Sequence, residues 1–228
     1  MTYGNTMTAR AFNFHGIGQP GPGIPEDERP YWISTTAFET FLDIFTSYRD
    51  RRPIVITFDD GNLSDIEIAA PLLAKYRLDA RFFVLTGRLE QPGYLSRGNV
   101  RDLRDMGFKI GSHGIDHVDW AQQDTLGLHY ELLRSRMVLE ELLGQPVTEA
   151  AIPFGRYRRR VLKGLHTYGY RAAWCSDGSA TALEGFLRPR LSIRDDTLPE
   201  MIMRELDSGD RAWRRWKQKL SMTRKSLL

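Results

Sequence analysis

Two short motifs bring together residue types that could hydrolyse a bond. In Thr57-Phe58-Asp59-Asp60-Gly61, two adjacent carboxylates end an apolar run, and a glycine turn follows. Successive residues of a strand point opposite ways, so Asp59 and Asp60 can take different jobs, one binding a metal and the other acting as a base. The bland alternative is an Asp-rich turn whose side chains cap backbone groups. In Ser112-His113-Gly114-Ile115-Asp116-His117, two histidines stand four residues apart. A loop that coils after a strand can turn both imidazoles to one point, and two imidazoles with one carboxylate suit zinc or a similar divalent ion. Such a set leaves coordination positions open, as a catalytic metal requires. Taken alone, His-x-x-x-His is a weak signal and reads more readily as one buried and one solvated histidine.

The elements around these motifs must bring them together. Seven strand-like runs are legible: Arg10–His15, Pro53–Phe58, Ala80–Leu85, Phe108–Ser112, Ala150–Phe154, Tyr170–Cys175 and Leu187–Ile193. Between them lie helical patterns. One is capped by Ser34 or Thr35 and shows Phe38, Phe41, Leu42 and Phe45 on one face. Another has Pro71 in its first turn, and others run over Val100–Met106, Thr125–Leu143 and Arg158–Thr167, stopped by Gly107, Gly144 and Gly169. Strands alternating with helices predict a parallel sheet with helical crossovers. At 228 residues this is one α/β domain, a distorted (β/α) barrel of seven strands. In such barrels chemistry sits at the C-terminal ends of strands, where both motifs fall. The loop 16–30 contains Gly16-Ile17-Gly18 but lacks the lysine and hydroxyl residue of a phosphate loop.

The order Thr-Phe-Asp-Asp-Gly then Ser-His-x-x-x-His resembles the polysaccharide deacetylase family, which includes the chitooligosaccharide deacetylases. The resemblance takes in Ala80–Gly87, Gly107–Gly111 and Pro153-Phe154-Gly155, and spans roughly 12–197. It implies a metal on Asp60, His113 and His117, zinc first, with cobalt, nickel or manganese as alternatives. Asp59 would be the general base for the attacking water. The backbone N–H near Phe154 would help hold the oxyanion, and Trp174 would line the acetyl pocket. Two positions depart from the family pattern. Its base-orienting arginine is replaced by Ala151, for which Arg156 could substitute, and the usual acid histidine by Arg194. Arginine does not give up its proton near neutral pH. Phe14-His15-Gly16 resembles the Tyr-His pair of a permuted branch of the family, in which that histidine supplies the acid; a structural histidine is the alternative. Arg190 and Asp177, at strand ends, are further candidates for substrate contact. His129 and His166 lie in helices without ligand-spaced partners, and Cys175 reads as packing.

The implied activity is metal-dependent removal of acetyl groups from the N-acetylated sugars of an oligo- or polysaccharide or glycan precursor, hydrolysis of a linear amide C–N bond. A related hydrolase of non-sugar amides or esters and a catalytically inactive glycan-binding module are the alternatives. The remaining features bound the setting. One cysteine allows no intrachain disulfide, and neither a secretory h-region nor an apolar run of about 18 residues is present. A cytoplasmic location is expected. Seven basic and no acidic residues lie in 211–228; subtracting them from the net +3 leaves −4 for the rest, which argues against a nucleic-acid partner. The expected organisation is one catalytic domain over 1–210 and a basic amphipathic tail over 211–228. The tail spaces Trp213, Trp216, Leu220 and Leu227 as on a helix. It could pack on the domain or lie on the inner face of a membrane.

Overall fold

A computed structural model describes residues 8–208 together with Met222, Thr223 and Lys225. The expectation for the tail 211–228 therefore falls, those three residues apart, outside the described residues. In chain order the strands are β1 (Thr8–Phe14), β2 (Gly16–Ile17), β3 (Trp32–Ile33), β4 (Ile54–Phe58), β5 (Ala80–Val84), β6 (Lys109–Ser112), β7 (Glu149–Ala151), β8 (Ala172–Cys175), β9 (Ala180–Ala182), β10 (Leu187–Pro189) and β11 (Leu191–Ser192). The main sheet runs β10-β8-β7-β6-β5-β4-β1-β11, each pair parallel.

The two edges of this path are successive halves of one run, broken at Arg190. Its first half pairs with β8 and its second with β1, so the ring closes but for that break. Among the described residues the path therefore has eight parallel strands where seven runs were expected. The short β9 adds an antiparallel partner on β1, and β2 pairs with β3 inside the Gly/Pro-rich loop. Neither was expected, because two or three residues carry no period.

Alternation sorts the strand residues. Phe12 and Phe14 of β1 and Ile56 and Phe58 of β4 face the helices and join one apolar cluster with Phe38, Phe41 and Phe45. Phe12 stacks on Phe45 at 4.9 Å and Phe58 on Phe82 at 4.8 Å. Each such buried ring contributes roughly 1.5–3 kcal/mol. The opposite set, Ala9, Ala11, Val55, Phe83, Ala151 and Trp174, fills the barrel interior. Small residues are needed there: a Cβ on Gly111 would sit 2.4 Å from the Phe83 ring.

The helices follow their sequence signals. Thr35–Tyr48 is capped by the Ser34 side chain, and Arg97–Asp105 by Ser96 in a reciprocal box with Asn99. Gly107, Gly144 and Gly169 end their elements at positive φ. The long helix expected over Thr125–Leu143 is divided into Thr125–His129, a π-helical turn Tyr130–Arg134 and Ser135–Leu143. A second π turn, Asp65–Ala69, precedes the helix Ala70–Tyr76. No helix among the described residues is long and apolar enough to cross a membrane.

Candidate active site

At the C-terminal ends of the strands lies a cavity of about 490 Å³ whose lining includes His15, Asp59, Asp60, His113, His117 and Phe154. The ends of β1, β4 and β6 thus deliver His15 and the two motifs to one place.

Asp60, His113 and His117 each aim one ligand atom at a common point, and these atoms lie within 4.8 Å of one another. Nε2 of His113 is 3.4 Å and Nε2 of His117 is 3.6 Å from the same Asp60 oxygen, Oδ1. That oxygen is buried with no hydrogen-bond partner. A buried carboxylate oxygen facing two imidazoles, without a hydrogen-bond partner, is the donor set a divalent metal takes. The residues present fit a metal. Burial opposes ionisation of Asp60, but the facing histidines outweigh it and hold the carboxyl well below its ordinary range. Asp60 and His117 have φ of 76° and 53°, left-handed values that cost non-glycine residues energy and gather where function fixes the backbone.

The outer nitrogens of both histidines are held. Nδ1 of His113 lies 2.9 Å from the Ala151 carbonyl, and Nδ1 of His117 lies 3.1 Å from Glu28 Oε1. Glu28 is in turn gripped by both terminal nitrogens of Arg88 at 2.9 and 2.6 Å. Such partners set the tautomer and aim of a ligating histidine. The loop joining the histidines is tied by Glu131, which is 2% exposed. It accepts from Ile115 N–H at 2.8 Å, Asp116 N–H at 3.3 Å and Trp120 Nε1 at 3.4 Å. Gly114, at φ +93°, is required there, since a Cβ would lie 2.4 Å from Glu131 Oε2.

Asp59 is held differently. Arg190 donates to its two oxygens at 2.7 and 2.8 Å, and Asn13 Nδ2 donates at 2.9 Å. Arg190 Nη1 also reaches Asn13 Oδ1 and Thr57 Oγ1. Burial pushes the Asp59 carboxyl up, but the Arg190 guanidinium outweighs it, with His113 helping, and leaves it below the usual carboxylate range. The guanidinium on Asp59 comes from Arg190, in the strand break, and not from Arg156. Arg156 points outward with a side chain 69% exposed, pairs with Asp119 at 3.4 Å and lies over the outer face of Phe154.

The His15 ring packs at a tilt of 43° against Tyr31, centroids 4.6 Å apart, and its Nδ1 is buried without a partner. Burial lowers the imidazole; the charges of Asp60 and Asp59 pull partly the other way. The Phe154 ring stacks on His117 at 4.6 Å, and its backbone is left-handed at φ 58°. The N–H groups of Gly155 and Arg156 close onto the carbonyls of Ile152 and Pro153; the Phe154 N–H takes no part in either bond. Arg194 lines the cavity beside Tyr31.

Trp174 does not line this cavity. Its side chain is fully buried toward the other end of the barrel, where Nε1 donates to Glu149 at 2.8 Å. Alternation along β8 turns it into the barrel interior, and its bond to Glu149, at the start of β7, holds it away from the mouth. Asp177 accepts from Tyr157 at 2.8 Å and from Lys225 at 2.6 Å, which uses both its oxygens. Cys175 is buried, and burial pushes its thiol up, as inert packing requires. His129 and His166 pack on Tyr168 and Phe186.

Known proteins resemble this chain in sequence and in fold. The family model described as polysaccharide deacetylase matches residues 46–173. YxkH of Bacillus subtilis, named for that family, is 25% identical over 158 residues, 66% of this chain and 57% of its own length. The peptidoglycan-N-acetylglucosamine deacetylase PgdA of Listeria monocytogenes is 27% identical over 119 residues, 51% of this chain and 24% of its own. The chain thus spans little more than half, or less, of these curated relatives. Among solved structures, the Streptococcus pyogenes deacetylase PplD in complex with acetate superposes with a TM-score of 0.77 at 20% identity, over 90% of this chain and 100% of that one. A polysaccharide deacetylase from Bacillus cereus gives 0.76 at 22% identity, over 88% of this chain and 69% of that one. These two carry the fold. With its motifs converging at one barrel mouth and the family model covering more than half its length, the chain belongs to the polysaccharide deacetylase family.

Proposed function

We propose that the protein is a metal-dependent hydrolase that removes acetyl groups from N-acetylated sugars of an oligo- or polysaccharide. The carrying observation is the juxtaposition of two differently treated carboxylates. Asp60 faces two histidines with an unpartnered oxygen, and Asp59, its neighbour, is clamped by Arg190. A divalent metal held by Asp60, His113 and His117 would polarise the acetyl carbonyl and acidify a water. Asp59, kept ionised by Arg190, accepts the proton from the attacking water. The Phe154 N–H, at the mouth, faces the oxygen on which charge develops. His15, beside Tyr31 and outside the ligand set, hands a proton to the leaving nitrogen. Water thus adds across the amide and yields acetate and a free amine.

The test is acetate release from N-acetylglucosamine oligomers by metal-loaded wild type, Asp59→Asn and His15→Ala. Release by wild type, lost in both variants, supports the reading. Metal binding without release from any acetylated glycan defeats it. Full activity in His15→Ala removes His15 as the acid.

A further inference from the structure

Two arginines line the cavity, and they are used in opposite ways. Arg190 commits both terminal nitrogens to Asp59, Asn13 and Thr57. Arg194 commits neither. Its Nε is 3.8 Å from Asp196, an aspartate whose side chain is 77% exposed, so water screens that pair. Its terminal nitrogens have no hydrogen-bond acceptor among the described residues.

The Arg194 side chain is 45% exposed at the cavity rim, but the backbone that carries it is fixed. Its N–H donates to Thr197 Oγ1 at 2.9 Å, and its carbonyl accepts from the Thr197 N–H at 3.0 Å. The next residue, Asp195, donates its N–H to the Pro30 carbonyl at 2.9 Å, which pins the turn to the loop bearing Tyr31. The guanidinium lies over the Tyr31 ring at 5.0 Å, and that same ring packs at a tilt against His15. A planar donor fork is thus held on an aromatic face, one ring away from the group assigned to the leaving nitrogen. A guanidinium fork matches the paired oxygens of a carboxylate or phosphate, and stacking reduces the rotamer freedom lost on binding.

We propose that Arg194 makes the site selective for anionic glycans: N-acetylated sugars that carry a carboxylate or phosphate close to the acetamido group. The inference rests on the deacetylase reading and names its substrate class. The negative group would sit on the sugar that keeps the amine, since the fork lies on the His15 side of the cavity.

The experiment uses the full chain, metal-loaded, with three oligomers of equal length. One is neutral N-acetylglucosamine, one alternates N-acetylglucosamine with N-acetylmuramic acid, and one carries N-acetylglucosamine joined by phosphodiesters. Wild type is expected to favour one anionic oligomer over the neutral one by about tenfold or more in kcat/KM, the worth of one charge-assisted hydrogen bond. The preferred oligomer identifies carboxylate or phosphate as the anion. Added salt shrinks the preference. In Arg194→Gln the anionic-to-neutral ratio falls to about one, whereas Arg194→Lys retains part of it, as a point charge without a fork should. Equal treatment of all three by wild type, or an unchanged ratio in Arg194→Gln, overturns the proposal. Calorimetric binding of the same oligomers to Asp59→Asn, and to Asp59→Asn combined with Arg194→Gln, poses the question without turnover. A binding preference without acetate release would sink the deacetylase reading and leave Arg194 standing; release without preference would do the reverse.

Discussion

The two ends of the barrel are built on opposite rules. At the N-terminal end, Trp174 plugs the interior, and Arg81, Arg188 and Glu149 gather on it. Arg81 and Arg188 each lie 5.3 Å from the Trp174 ring. Glu149 accepts from Trp174 Nε1 at 2.8 Å and Arg81 Nε at 3.1 Å, with Arg188 at 3.7 Å. At the C-terminal end, Asp60 Oδ1, His15 Nδ1, both Asp65 oxygens and both Asn62 side-chain polar atoms are buried without partners. Three of the five non-glycine residues with positive φ, Asp60, His117 and Phe154, line the cavity there. Of the unpartnered groups, Asp60 and His15 line the cavity, where a ligand, metal or solvent can meet them. Strain and unmet bonding gather where the site lies, although the other end is not free of them: Thr181 Oγ1 is buried without a partner there, and Arg77, just before β5, has a φ of 54°.

The sharpest way to break this contrast is Arg190→Met. It leaves the Asp59 carboxylate buried and unpaired, which costs about 3–5 kcal/mol when a buried ion pair loses one partner. It also frees the base from its geometry, for which a loss of about 100-fold or more in kcat/KM is expected. Denaturant unfolding and acetate release measure the two effects; a variant of full activity would show that the clamp is idle. Next in size is Glu149→Ala. Removing the shared acceptor orphans Trp174 Nε1 and Arg81 and should cost about 1–3 kcal/mol. Here kcat/KM and metal affinity should stay at wild-type values, because nothing at that end touches the cavity. A parallel drop in activity would mean that the ends are coupled.

The smallest effect sits at the open end. Burial, then the charges of Asp60 and Asp59, raise the Asp65 carboxyl well above its ordinary value. For a carboxyl so raised, the folded state favours the protonated form. Its contribution to stability is therefore present below the unfolded value of 3.8 and is lost as pH climbs toward the folded one. Asp65→Asn should match wild type near pH 3.8 and melt progressively higher above it, by about 2–4 °C for each kcal/mol relieved. A thermal melt series across pH reads this directly. Equal melting temperatures at pH 8 would show that Asp65 bears no such penalty.

The sequence made some of this legible and hid the rest for physical reasons. Apolar runs flag strands buried on both faces, and Ser34, Gly107, Gly144 and Gly169 mark helix ends by local rules that need no tertiary context. The metal-ligand candidates were visible because motif and chemistry are contiguous. Their supports were not. Glu28 lies 89 residues from His117, and Arg190 lies 131 from Asp59. Only ring closure makes them neighbours. Arg156 looked plausible because it is near Ala151 along the chain, yet the alternation and closure of the barrel give the role to a residue across the ring. Trp174 was assigned to the pocket by resemblance, while the direction of its side chain places it at the opposite end. The two π turns carry no composition of their own and come from packing.

The break at Arg190 has a kinetic consequence. The last barrel run is zipped on one side to β8 and on the other to β1, with its guanidinium between them. Closing the ring and arming the base are thus one event, and late, because it joins partners up to 177 residues apart. On the proposed reading, a chain still short of closure has no arginine beside Asp59, so in refolding acetate release should return only with ring closure, whichever strands form first.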